Sequence, residues 1–111
     1  MTISIRKAGS TTILDVNGPL KLGESEQEFR QQVEELVNGG VQRIAINLAG
    51  VPEMDSSGIG SIVRAFTHVK KAGGRCTFFA PTKRVLQLIK MVRLDSVLEI
   101  VEDEAAALSR A

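Results

Sequence analysis

The sequence contains no tryptophan and no tyrosine, and it has only one cysteine and one histidine. A single cysteine cannot form a disulfide within the chain, and Cys76 lies in an apolar run, so we expect a buried thiol. One histidine and one cysteine far apart in sequence make no metal-ligand cluster, so we predict no metal and no cofactor. The shortage of aromatic rings also leaves few side chains on which nucleic acid bases could stack.

The sequence also lacks an excess of charge of either sign and a long hydrophobic run. Its 14 lysines and arginines face 13 aspartates and glutamates, a net charge of +1, which predicts no basic face for nucleic acid. No apolar stretch approaches the roughly 20 residues of a membrane-spanning helix, and residues 1–6 have no signal-peptide pattern. We therefore expect a cytoplasmic protein without direct nucleic-acid binding or membrane insertion, forming a single domain over residues 1–111.

The hydrophobic pattern alternates between short strand-like runs and amphipathic helices. Two β-like runs joined by a turn at Gly9-Ser10 precede a helix, for which Ser25 and Glu28 fit a capping box. The predicted elements that follow are a strand over 43–48, a helix from about Ser57, a strand over 75–79, a helix capped by Thr82, a short run over 98–101 and a short last helix. Such alternation predicts an α/β fold with a mostly parallel centre. The expected core includes Ile44, Ile46, Leu48, Ile62, Phe66 and Phe78.

The segment from Met54 to Ser61 is the part of the chain that a purely structural role explains least well. Asp55, Ser56 and Ser57 stand where a buried strand ends and a helix begins, which in open α/β sheets is the end that carries function. Ordinary helix capping also explains these residue types. Gly58 and Gly60, however, each cost a helix about 1 kcal/mol relative to alanine. A smooth surface around a hydroxyl favours docking by another protein, so both interpretations stay open.

None of the common catalytic arrangements fits this segment. Ser57 and His68 lie eleven positions apart on one predicted helix, which separates them by roughly 16 Å, too far for a catalytic hydrogen bond. The residues around Ser57 do not form the nucleophile elbow of hydrolases. The third glycine of a dinucleotide-binding fingerprint is missing, and no P-loop is present. We therefore expect a protein that is not an enzyme.

Residues 48–60, Leu-Ala-Gly-Val-Pro-Glu-Met-Asp-Ser-Ser-Gly-Ile-Gly, resemble the signature of the STAS domain of bacterial anti-sigma factor antagonists. The similarity extends over nearly the whole chain and includes Gly18-Pro19-Leu20, Gly73-Gly74 and the helix over 82–92. The resemblance implies a STAS-like single domain of α/β class. Its expected architecture is a four- or five-stranded mixed sheet with helices mainly on one face.

The resemblance also implies a function. In this family the second serine of the motif, here Ser57, is phosphorylated by an anti-sigma factor that is also a serine kinase. The unphosphorylated antagonist binds that kinase and so frees a sigma factor, and a serine phosphatase resets the switch. The residues expected to contact the partner are Lys21, Met54, Asp55, Ser56, Gly58, Ser61 and Arg64, with Ser61 and Arg64 on the exposed face of the helix.

Two positions depart from the family pattern, and two other functions stay open. Lys21 stands where the family often has an acidic residue, and Asn47 where many members have aspartate. One alternative is a STAS scaffold or subunit of a larger signalling or lipid-transport assembly, without phosphorylation. Nucleotide binding ranks lower, because the sequence contains no phosphate-binding loop.

Overall fold

Five strands form one mixed sheet, in the order in which they occur along the chain. The structure, a computed structural model, describes residues 1–110. The strands are β1 (Thr2–Ala8), β2 (Thr11–Asn17), β3 (Arg43–Gly50), β4 (Arg75–Phe79) and β5 (Ile100–Val101), and the helices are α1 (Glu24–Asn38), α2 (Ser56–Lys71), α3 (Lys83–Met91) and α4 (Glu104–Ser109). β1 and β2 form an antiparallel hairpin, whereas β2 to β5 run parallel to one another. The predicted α/β class and mixed sheet are confirmed.

The two faces of the sheet are covered unequally. Side chains of β3 alternate, so that Ile44, Ile46 and Leu48 enter a large core shared with α1, α2 and α3. Ala45 points to the other face, into a smaller cluster that includes Ala107 of α4. The prediction of helices mainly on one face is therefore confirmed. All six predicted core residues are buried.

Cys76 is buried in the large core, as predicted from its apolar surroundings. Burial raises the pKa of its thiol, because the low-polarity interior disfavours the thiolate. A thiol in this state is a packing group rather than a nucleophile.

The predicted N-cap is correct for α3 and wrong for α1. Thr82 caps α3 as predicted, because its hydroxyl oxygen accepts the Val85 N–H at 3.3 Å. The predicted capping box of Ser25 and Glu28 is wrong: α1 begins at Glu24, after Gly23. Gly23 has φ +111°, which favours glycine and lets the chain enter the helix early. The Ser25 hydroxyl instead donates to the Lys21 carbonyl at 2.9 Å.

Two loops at the carboxyl end of the parallel strands are joined by backbone hydrogen bonds. The Leu20 N–H donates to the Glu53 carbonyl at 3.1 Å, and Leu20 and Met54 pair as a parallel bridge. Nearer the sheet, the Gly18 N–H donates to the Gly50 carbonyl at 2.9 Å. The loop over 18–23 and the loop over 51–55 therefore continue the β2–β3 pairing up to the start of α2.

Candidate functional site

Asp55 fixes the start of α2. Its backbone is extended, with φ −102° and ψ −172°, and its Oδ1 accepts the Gly58 N–H at 2.9 Å, which makes it the N-cap. Its other oxygen, Oδ2, accepts the Leu22 N–H at 3.0 Å. These backbone hydrogen bonds, first that of Leu22 and then that of Gly58, hold the pKa of Asp55 below its usual range. Asp55 is therefore an anion at neutral pH, and it shapes the turn as expected.

The two glycines of α2 serve different purposes. A Cβ atom on Gly58 would stand 2.9 Å from the Met54 Cβ and would overlap the Leu20 carbonyl oxygen. Gly58 is therefore what allows the helix to start so close to the loop over 18–23. A Cβ on Gly60 would have no atom within 4 Å. Gly60 is therefore not needed to avoid a clash, and its lack of a side chain leaves an open place on the surface of the helix.

That open place belongs to a surface hollow of about 310 Å³ beside both serines. Ser56 is exposed and Ser57 is half-buried. The lining residues are Leu22, Glu26, Arg30, Ser56, Ser57, Gly60 and Arg64. Leu22 is 77% exposed, so its side chain adds apolar surface beside the polar groups of the hollow. The hollow therefore combines two serine hydroxyls, one carboxyl group, two guanidinium groups and one exposed apolar side chain.

Glu26 of α1 connects the two helices at the side of this hollow. It is only 8% exposed, and its Oε1 accepts the Ser61 hydroxyl at 3.0 Å. The Nη1 atoms of Arg30 and Arg64 each lie 3.6 Å from the same oxygen. Glu26 thus holds one hydroxyl and two cations together, a set drawn from helices about 35 residues apart in sequence.

The expectation that Ser61 lies on the exposed face of α2 is wrong, since Ser61 is 2% exposed. It belongs to the buried stripe that also holds Gly58, Ile62 and Ala65, with the spacing of a core-facing helix. Arg64, by contrast, has a side chain that is 65% exposed, as expected. Packing of α1 on α2 explains the difference, because position 61 falls against Glu26.

The remaining predicted partner-contact residues divide between surface and interior. Lys21 is exposed and forms an ion pair with Glu53, which lowers the pKa of that carboxyl group. Arg84 forms a second ion pair with Glu53, with 3.3 Å between Nη2 and Oε2. Met54 and Gly58 are buried. Their place is beneath the predicted contact surface, where they support its backbone.

Asn47 of β3 is held between Asp15 and the backbone of Ala49. Its Nδ2 donates to Asp15 Oδ1 at 2.8 Å, and its Oδ1 accepts the Ala49 N–H at 3.0 Å. Arg6 forms an ion pair with Asp15 at 2.6 Å, and this bond first, then that of Asn47, lowers the pKa of Asp15. A carboxylate at position 47 would face a second carboxylate, whereas the amide supplies a donor.

Sequence reasoning missed Leu22, Glu26 and Arg30. The four-residue spacing of Glu26 and Arg30 is a recognisable ion-pair pattern, but it does not show which face of α1 meets α2. His68 is exposed on α2, as expected. Within residues 1–110, no group of three histidine, cysteine, aspartate or glutamate side chains is placed to hold a metal. No helix in this described part of the chain has the length and apolar character needed to cross a membrane.

Comparison with known proteins gives consistent results. A family model described as the STAS domain matches residues 2–107. A protein of Thermotoga neapolitana, named as an anti-sigma factor antagonist homologue, is 29% identical over 86 residues, which are 77% of this chain and 76% of that protein.

Solved structures extend the comparison to the fold. A crystal structure named as an anti-sigma factor antagonist of Thermotoga maritima has a TM-score of 0.90 at 24% identity and covers 97% of this chain and 92% of its own. The anti-sigma factor antagonist SpoIIAA in its unphosphorylated form has a TM-score of 0.75 at 18% identity, with 98% and 96% covered. The phosphorylated form of SpoIIAA, a Bacillus cell fate determinant, has a TM-score of 0.73 at 18% identity, with 98% of both chains covered. At these identities the structures show a shared fold.

Proposed function

The chain belongs to the STAS domain family, and we propose that it is an anti-sigma factor antagonist controlled by phosphorylation of Ser57. In its unphosphorylated form it binds an anti-sigma factor with serine kinase activity, a sigma factor is released, and transcription changes indirectly. The observation that carries the proposal is the position of Ser57 in the first turn of α2, beside a hollow and next to the capping carboxylate of Asp55. Its relatives' names support the same function.

The electrostatics of the turn explain why a phosphate would act as a switch. A phosphoserine adds about −1.5 to −2 charges at pH 7. The start of a helix favours such a charge by roughly 0.3–1 kcal/mol, so the domain itself tolerates the modification. A partner surface that fits a neutral hydroxyl beside ionised Asp55 meets two adjacent anions after phosphorylation. Repulsion and lost complementarity then weaken the complex.

The surface that meets the partner is centred on the same hollow. Leu22 supplies an exposed apolar side chain, and Lys21, Ser56 and Arg64 supply a polar rim. A central apolar anchor with a polar rim is the usual anatomy of a protein–protein interface. The rigid link between the loops over 18–23 and 51–55 keeps Leu22 and Ser57 in a fixed arrangement, which a preformed docking surface requires.

The chemistry of the proposed switch belongs to the partner. The kinase supplies ATP, Mg²⁺ and a base, and the Ser57 hydroxyl oxygen attacks the γ-phosphorus while its proton passes to that base and ADP leaves. Hydrolysis of the phosphoserine by a serine phosphatase restores the hydroxyl and releases inorganic phosphate. In this cycle the chain is a substrate and a ligand, not an enzyme.

Affinity capture with two matched baits tests the function. Ser57→Ala keeps a small neutral side chain, and Ser57→Asp introduces a negative charge at the same residue. The proposal expects an anti-sigma factor kinase to be recovered with the alanine bait and to be depleted with the aspartate bait. Recovery of a transport ATPase or a large signalling assembly, equally with both baits, would instead establish the scaffold function.

A further inference from the structure

We infer that Arg30 and Arg64 receive the phosphoryl group of phosphorylated Ser57, which replaces Glu26 as their shared anion. The inference rests on the proposed phosphorylation of Ser57. It concerns what happens inside this chain after that modification, and it assigns a role to Arg30 and a new one to Arg64.

The geometry of α2 places Arg64 correctly for this role. Ser57 and Arg64 are seven residues apart, which is two helical turns, about 10 Å along the axis and nearly the same face. Long side chains on a helix lean toward its N-terminus, so the Arg64 guanidinium extends back toward Ser57. Gly60 stands between them without a side chain, and the space around it is open. Both residues line the one hollow of about 310 Å³, which has room for a phosphoryl group.

Arg30 reaches the same hollow from α1. Arg30 lies one turn after Glu26 on α1, whereas Arg64 lies on α2. The Nη1 atom of each arginine is 3.6 Å from Glu26 Oε1. That distance is longer than the roughly 2.7–2.9 Å of a direct charge-assisted hydrogen bond. Each guanidinium has five N–H donors, so donors remain for a second anion. The arginine side chains are 46% and 65% exposed, whereas that of Glu26 is 10% exposed. Water screens the arginine ends of these long contacts, so each guanidinium can turn to another anion.

A phosphate is the stronger competitor for these arginines. It carries more charge than a carboxylate, it offers three oxygen acceptors, and arginine binds it with two parallel hydrogen bonds. Glu26 is not left without a partner when the arginines turn away, because its Oε1 still accepts the Ser61 hydroxyl. The exchange also turns the Arg64 side chain, which is on the proposed partner surface, from Glu26 to the phosphate. Phosphorylation would therefore alter the docking surface at two places, through the added charge at Ser57 and the changed position of the Arg64 guanidinium.

The test measures the ionisation of a phosphoserine incorporated at position 57 during translation, so that no kinase is needed. ³¹P NMR of the full chain gives the pKa of the second phosphate ionisation, which is about 6 for ordinary phosphoserine. Nearby guanidinium groups favour the dianion, and we expect a pKa about one unit below that of a matching phosphopeptide. Arg64→Gln and Arg30→Gln should each raise it toward the peptide value. Arg43→Gln is the matched control, because Arg43 bonds Ser10 at the opposite end of β3 and should leave the pKa unchanged.

Two results would overturn the inference. The first is a phosphate pKa equal to that of the peptide in the phosphorylated chain and in all three of its arginine variants. The second is a lowered pKa that neither Arg30→Gln nor Arg64→Gln alters, which would assign the effect to the helix start alone. Both results would leave the proposed function intact, because that function is tested separately by whether a kinase modifies Ser57. Conversely, absence of a kinase would not alter the NMR result.

Discussion

The Leu22 N–H donates a hydrogen bond to Asp55 Oδ2 at 3.0 Å, across 33 positions of sequence. The same carboxylate caps α2 through Gly58, so one side chain sets both the start of the helix and the path of the neighbouring loop. This relationship keeps the exposed Leu22 side chain beside the two serines.

Asp55→Asn should destabilise the domain at neutral pH, because the amide replaces one carboxylate oxygen by an NH₂ group, which cannot accept the backbone N–H that it would face. The pKa of Asp55 is lowered in the folded state, so its stabilisation is present above the unfolded pKa of about 3.9 and is lost as pH falls through the folded value. Urea unfolding should therefore show a wild-type advantage at pH 7 that shrinks below about pH 4. An equal difference at both pH values would contradict this role of the charge.

Gly58→Ala and Gly60→Ala form a matched pair on one helix with opposite expected effects. Alanine at 58 would overlap the Leu20 carbonyl, and such overpacking costs about 1–3 kcal/mol of unfolding free energy. Alanine at 60 meets open space and should stabilise the helix by about 0.5–1 kcal/mol. Denaturant unfolding of both variants checks the pair. Stabilisation by both substitutions would show that α2 does not approach the loop this closely.

Asn47→Asp should destabilise the domain at neutral pH, because it sets a carboxylate against Asp15 and removes the N–H donor between them. Acidification should reduce the difference from the wild type, since protonation of either carboxyl group restores a donor. The double variant Asp15→Asn with Asn47→Asp recreates a carboxylate–amide pair and should recover part of the loss. Thermal unfolding at pH 7 and pH 4 measures this, and a loss that is additive in the double variant would argue against the contact.

Arg64→Glu should weaken binding to the anti-sigma partner without unfolding the domain, because the side chain is largely exposed on the predicted contact surface. Arg43→Glu makes the same charge change at the start of β3, at the end of the strand away from the serines, and serves as the control. Calorimetry or surface plasmon resonance with the purified partner gives the affinities, and circular dichroism confirms folding. Equal affinities for the wild type and both variants would remove Arg64 from the interface.

The sequence was sufficient to predict the element order and the core, because strand and helix periodicities are local signals. Ile46 and Phe78 could be assigned to the core from their place in short apolar runs, and both are buried. The predicted N-cap at Ser25 was wrong although Ser25 and Glu28 have the spacing of a capping box. The helix starts earlier because of the positive φ of Gly23, which depends on the path of the whole loop. The predicted exposure of Ser61 was wrong for a related reason, since Glu26, the residue that covers it, is 35 residues away in sequence.

The candidate site was predictable only in part for the same reason. The motif around Asp55 and Ser57 is contiguous, so residue types alone indicate a turn at a helix start. The hollow is built from α1, α2 and a loop, and Leu22 and Arg30 enter it only after α1 packs on α2. No local pattern in the sequence shows the angle at which the two helices meet.

The most direct test of the account is to incubate the protein with its candidate anti-sigma factor kinase and ATP and to map the phosphopeptide by mass spectrometry. We predict one phosphate on Ser57 and none on Ser56, with Ser57→Ala unmodified but still able to bind the kinase. Phosphate on Ser56 alone would keep the switch and refute the residue assignment. An unmodified peptide containing both serines, with the kinase active on another substrate, would contradict the central claim and favour the scaffold function.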